Sequence, residues 1–304
     1  MNKNNLPVLL ITWNRPNHLS KSYKSIVNAG VSEIFIYNDG LTLDMEINKK
    51  IMNTRELIKI FVNKNKSISH KIFFSNINST GCKNGVFNAI TWFFNKNEKG
   101  IIIEDDVIIS EKFPLFCSHY FSKSKDIEFI SASNYGVKPS DKKNYRLSRH
   151  AYIWGWASTA SLWKKYDKFI DKSRINNLLK KSKKDKFYKR YINFICDKCQ
   201  LTNEGIIDTW DYQLSFLLLE KNILNLVPGK SLAENIGFDE DATHTKTKRP
   251  SYAKTFTKEI FLDNKIDINL IDLKADRAVE RLIYIPSFRR KLINKIFKWL
   301  NINQ

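Results

Sequence analysis

Within the first 104 residues, apolar runs of strand length alternate four times with stretches of helical spacing, and few folds accommodate that order. Residues 7–13 ("PVLLITW") form a β-rich run. A Pro-led segment follows, with Leu19, Tyr23, Ile26 and Val27 on one helical face up to Ala29. "EIFIYNDG" (Glu33 to Gly40) and "HKIFFS" (His70 to Ser75) are a second and third strand, separated by helical spacing from Leu43 to Val62. "STGCKNGVFNAITWFFNK" opens on turn residues and continues as a helix through Val86, Phe87, Ile90, Phe93 and Phe94, before "GIIIE" gives the fourth strand. The expected architecture is α/β: a doubly wound, Rossmann-like, mostly parallel sheet.

Such sheets bind ligands beyond the carboxyl ends of their strands. Here every end is polar: Thr12-Trp13-Asn14-Arg15, Asn38-Asp39-Gly40, Ser75-Asn76 and Glu104-Asp105-Asp106. The last lies inside "IIIEDDVII", where three adjacent carboxylates repel one another and resist burial unless a cation joins them. Oxygen ligands from one or two carboxylates, completed by phosphate oxygens, suit Mg2+ or Mn2+. The stretch therefore points to a nucleotide-diphosphate ligand, against the plainer reading of acids placed at a strand end for solubility.

Beyond residue 127 come "IEFISASNYG", an aromatic "YIWGWAS", and a basic helical span from Lys164 to Lys198 with thirteen Lys and Arg against four Asp and Glu. That span reads first as a solvated helical surface. "DTWDYQLSFLLLEKN" (Asp208 to Asn222) reads as an amphipathic helix, "ILNLVPG" as a late strand, and Glu234 to Thr245 as a polar loop. The division expected is a catalytic domain over residues 1–250, with a nucleotide-binding half (1–110) and an acceptor half (111–250) carrying a basic helical insert (164–200). A helical extension (251–304) follows. Its last helix, "PSFRRKLINKIFKWLNINQ", has five basic and no acidic residues, which suits either an anionic bilayer or docking on the core.

The formal charge of +20 favours anionic partners. Cys196 and Cys199 have a metal-like spacing but no second pair follows, so buried thiols in a reducing compartment are the simpler reading. Histidines 18, 70, 119 and 150 lack partner spacing, and His244 stands apart in its polar loop. The N-terminal run breaks at Asn-Arg-Pro without a cleavage signature, and no apolar run approaches ~18 residues. A cytoplasmic protein, peripheral on the inner face of the cytoplasmic membrane, is expected.

In order along the chain, "PVLLITWNRPNHLSKSYKSI", "IFIYNDG", "IIIEDDVIISEKF", "FISASNYG", "YIWGWASTASLW", "DTWDYQLS" and "ENIGFDEDATHT" resemble the GT-A-fold nucleotide-sugar glycosyltransferases. The kinship is with bacterial surface-polysaccharide enzymes and, more distantly, with the N-acetylglucosaminyltransferase I family. The resemblance implies a metal-dependent, inverting transfer from a UDP-sugar to a glycan or lipid-diphosphate-linked acceptor, with no nucleic-acid partner. It implies that Arg15 and Asp39 contact uracil, with Thr12 and Asn14 in the same pocket. Asp106 would hold the metal, and Asp105 and Glu104 would bond ribose or sugar hydroxyls. Gly155-Trp156 would lie beneath the transferred sugar, Asp211 would be the catalytic base, and the loop from Gly237 to Thr245, with His244, would close over the diphosphate. Two departures stand out. The family's Trp-Asp-Asp-Trp reads Trp210-Asp211-Tyr212-Gln213 here, and Asp239, Glu240 and Asp241 lie where animal relatives are basic.

Residue by residue, simpler roles remain open. Asp211 at a helix start suits the dipole there, Asp39 suits a turn, and Arg15 a surface charge before Pro16. Two other functions compete. A sugar-nucleotide nucleotidyltransferase would carry a Gly-rich loop after its first strand, where this chain has Asn14-Arg15-Pro16. A basic nucleic-acid-binding protein would use the Lys164 to Lys198 span, yet no recognised module appears and the acidic rim would repel a polyanion.

Overall fold

The computed structural model describes residues 6–76, 78–141, 143–183, 188–238, 250–253, 256–257, 259–268 and 270–284. The first half follows the expected alternation: β1 (Val8–Thr12), α1 (Pro16–Asn28), β2 (Glu33–Asn38), α2 (Met45–Lys64), β3 (Ser69–Phe74), α3 (Gly81–Phe94) and β4 (Lys99–Glu104). A short strand β5 (Val107–Ile109) and α4 (Phe113–Lys123) lead to β6 (Phe129–Ser131), β7 (Tyr145–Ser148) and β8 (Trp156–Thr159). Then come α5 (Ala160–Trp163), α6 (Lys172–Ser182), α7 (Lys189–Asn203), α8 (Asp211–Lys221), β9 (Asn225–Pro228), β10 (Ala233–Asn235) and α9 (Leu273–Val279).

Eight strands form one sheet in the order β3-β2-β1-β4-β8-β6-β9-β7, while β10 and β5 pair antiparallel in a second, small sheet. β1 to β4 are mutually parallel, and β6 and β9 run the same way because β8 is antiparallel to both β4 and β6. The sheet is thus mostly parallel, as the alternation predicts. Its winding reverses between β1 and β4, where ligands of doubly wound sheets bind. Thr12 and Glu104 end these neighbouring strands.

Both faces of the central strands are covered, which explains their continuous apolar runs. Val8, Leu10, Ile101 and Ile103 pack toward α1 and α4, and Leu9 and Ile102 pack toward α3 and α8. The segment from Asp208 to Asn222 departs from the expected amphipathic helix. Helix starts only at Asp211, and every residue from Gln213 to Leu219 is buried. Its Leu217 and Leu218 meet the sheet-side cluster, whereas Phe216 and Leu219 meet α6 and α7, so the helix is an inner layer.

The basic span is likewise more than a solvated face: Ile175, Leu178, Tyr191, Ile192, Ile195, Cys196 and Cys199 form a core of their own against α8. Cys196 and Cys199 are buried free thiols on one helical face. Helix α9 is fixed by Asp276, which accepts from Arg146 (3.0 Å), the Arg149 amide (3.1 Å) and Tyr188 (3.1 Å) in a buried cluster beside His150. Among the described residues, no helix is long and apolar enough to cross a membrane. The basic amphipathic helix expected after residue 285 lies outside them.

Candidate active site

The ends of β1, β2 and β4 and the start of α8 converge on an open cleft of about 630 Å3. Thr12, Asn14, Arg15, Asp39, Glu104, Asp105, Asp106 and Asp211 all line it, joined by Ser79, Cys82, Trp154, Asp208, Gly237 and Phe238. Among the described residues lining it, Arg15 is the only cation beside six carboxylates. The charge of the cleft is thus opposite to that of the chain as a whole.

The acidic turn is held by its neighbours. The Ser22 hydroxyl of α1 lies 2.7 Å from the carbonyls of both Asp105 and Val107, and Ser25 Oγ accepts from the Ile109 amide at 3.2 Å. Asp105 Oδ2 accepts from the Trp13 amide at 3.3 Å. Arg15 Nη1 reaches Asp106 Oδ2 at 3.1 Å and Asp105 Oδ1 at 3.6 Å. Even so, the charge is undercompensated. Burial, reinforced by Asp106, Asp105 and Asp211 and opposed by Arg15, pushes the Glu104 carboxyl up to about 8. Burial also pushes Asp105 up to about 7, against the pull of Arg15.

Arg15 thus pairs with the acidic turn, on the same cleft that Asp39 lines. The reason is reach, since Arg15 and Asp106 extend from adjacent strand ends, β1 and β4. Asp39 instead accepts from Ser79 at 2.8 Å through Oδ2, while its Oδ1 is buried without a hydrogen-bond partner among the described residues. The backbone around it is tied by Arg55, which donates to Asn38 Oδ1 (2.8 Å) and to the carbonyls of Asp39 (3.1 Å) and Ser75 (2.9 Å). Thr12 lines the cleft with its hydroxyl already engaged, donating to the Tyr37 carbonyl and accepting from Asn38.

Gly155 and Trp156 are not on the cleft surface. Gly155 has φ +70°, which breaks the alternation of an extended chain and sends its two tryptophans to different sides. Trp156 is buried, stacking on Phe129 and Trp210. Trp154 faces the cleft instead, with Phe238 edge-on and Tyr252 stacked at 5.9 Å.

Asp211 opens α8, where the helix dipole favours a carboxylate, and its Oδ1 accepts from Thr209. Three residues earlier, Asp208 caps α3 by accepting from the amides of Cys82 (2.7 Å) and Lys83 (3.0 Å). Ser79 and Asp208 escape sequence reasoning: a turn serine and a loop acid show nothing of the long-range bonds they make. Asp106 is closed over by Gly237, where a Cβ would come within 2.2 Å of Asp106 Oδ2. The Ile236 amide donates to the Asp106 carbonyl at 2.8 Å, so the loop expected to close is rooted on the acidic turn. His244 and the rest of that loop, residues 239–245, lie outside the described residues.

Residues 90–216 match the model of a family described as glycosyltransferase family 25 (LPS biosynthesis protein). The matched stretch contains Glu104 to Asp106 and Asp211, and stops short of Arg15 and Asp39. Solved structures similar in fold include the inositol-1-phosphate CTP transferase from T. maritima, at 10% identity and TM-score 0.43, covering 77% of this chain and 89% of that one. Mouse xyloside xylosyltransferase 1 in its apo form is 8% identical with TM-score 0.40, covering 73% and 84%. The glycosyltransferase GlyE of Streptococcus pneumoniae TIGR4 is 10% identical with TM-score 0.38, covering 73% and 45%. No curated protein matches the sequence. The family match agrees with the glycosyltransferase resemblance carried by the sequence motifs and with a role in lipopolysaccharide biosynthesis.

Proposed function

We propose that this glycosyltransferase is metal-dependent and inverting, and that it moves a sugar from a UDP-sugar to a glycan or lipid-diphosphate-linked acceptor. The observation that carries the proposal is the gathering of Asp39, Arg15, the Glu104-Asp105-Asp106 turn and Asp211 on one cleft. A diphosphate entering a cleft with six carboxylates and one guanidinium needs further positive charge, and the hard oxygen donors of Asp106 and Asp105 fit Mg2+ or Mn2+. When bound, such an ion would supply Lewis-acid stabilisation to the departing UDP.

The chain's own residues do the rest. Asp39 Oδ1, buried and unsatisfied, is an acceptor for the N3–H of uracil. Arg15 neutralises diphosphate oxygens, and Glu104 bonds ribose or sugar hydroxyls. Asp211 takes the proton of the acceptor hydroxyl as that oxygen bonds to the anomeric carbon and the bond from that carbon to UDP breaks, with inversion. Trp154 and Phe238 wall the sugar side, and His244 belongs to the segment that covers the diphosphate. The net positive charge of the remaining surface suits an anionic membrane that presents the acceptor. The test is Asp211→Asn: UDP-sugar binding followed by calorimetry should stay near wild type while transfer falls at least about a hundredfold. Transfer at the wild-type rate would remove Asp211 from the mechanism.

A further inference from the structure

Both partners of the Arg15 ion pair are fixed by one helix. Arg15 is the residue before Pro16, where α1 starts, and the turn bearing Asp105 and Asp106 rests on Ser22 of the same helix. The guanidinium is 11% exposed, 3.1 Å from Asp106 Oδ2 and 3.6 Å from Asp105 Oδ1. This is a seated charge, not a surface pair formed by chance. We infer that Arg15 is a built-in counter-ion that holds Asp106 in place of a divalent cation until a diphosphate arrives, so that cation and donor enter together. The inference rests on the metal and donor reading given above.

The competition between Arg15 and a cation for Asp106 is electrostatic. An oxygen that accepts from a guanidinium cannot also coordinate a divalent cation without setting two positive charges side by side, away from bulk water. Arg15 is permanently charged, so it cannot relieve that conflict by losing a proton. Diphosphate relieves it: its oxygens offer the planar guanidinium a bidentate partner and free Asp106. By linkage, whatever the diphosphate adds to cation affinity, the cation adds to diphosphate affinity. The excess of carboxylates makes the same point from the other side. Without Arg15 the turn would attract free cations strongly, and its occupancy would no longer depend on the nucleotide.

The experiment measures Mn2+ binding by the loss of free-ion paramagnetic resonance signal, with and without UDP, in the full chain and in Arg15→Met and Arg15→Lys. The wild type should bind Mn2+ at least tenfold more tightly with UDP than without it. Arg15→Met should bind Mn2+ alone at least tenfold more tightly than the wild type and lose most of the UDP dependence. Arg15→Lys, which keeps the charge without the fork, should fall between them. If the wild type shows the UDP dependence and Arg15→Met does not gain affinity for Mn2+ alone, the counter-ion role is overturned while the metal reading stands. If no form binds Mn2+ even with UDP, the metal reading fails and takes this inference with it.

Discussion

Replacing Gly237 with alanine isolates the placement of Asp106 from the stability of the fold. The backbone of Gly237 is not in the left-handed region, so alanine adds little conformational strain. The added Cβ would lie 2.2 Å from Asp106 Oδ2 and 2.8 Å from its Cγ, where real contacts do not fall below 3.0 Å. Asp106 must therefore retreat by roughly 1 Å, about the displacement that costs a positioned group ~100-fold in rate. The assay is kcat/KM for sugar transfer at saturating Mn2+, with thermal denaturation as control. The expected result is a fall of about a hundredfold with a melting temperature within a few degrees of wild type. An alanine variant with wild-type kinetics would show that Asp106 does not need its observed position, and the reasoning about the acidic turn would fail.

Two further outcomes follow from groups around and beyond the cleft. Glu104 and Asp105 bind their protons more tightly folded than unfolded. Their stabilisation is therefore complete below pH 4 and lost as pH rises toward 7–8, at about 1.4 kcal/mol per pH unit for each group. Thermal denaturation of the ligand-free protein between pH 5 and 8 should fall more steeply in the wild type than in Glu104→Gln; parallel curves would contradict this. Asp276→Ala strands the buried Arg146 and should cost about 3–5 kcal/mol in urea unfolding, whereas a loss below ~1 kcal/mol would mean the ion pair does not fasten α9.

The first half of the fold was legible because local and global signals agree there. The apolar strands and the spaced helical faces from residue 7 to 104 need no distant information, and the polar strand ends foretold the cleft. The second half was harder for physical reasons. Helix α8 carries Leu214, Phe216, Leu217, Leu218 and Leu219, a pattern that does not say whether one face or all faces are covered. Only its place between the sheet and α7 decides that. Trp154 and Trp156 looked equivalent until the backbone of Gly155 separated them. The bond from Arg15 to Asp106 was not legible at all, because a contact between the ends of β1 and β4 spans about ninety residues of sequence. Asp208 and Ser79 act only through such long-range bonds, and neither has a sequence signal.

The measurement closest to the central claim is UDP release from UDP-sugars by the purified protein, with Mn2+ or with chelator, in the wild type and in Asp106→Asn. The account predicts release that requires the cation and falls at least about a hundredfold in the variant. Release that persists undiminished in chelator and in Asp106→Asn would contradict it.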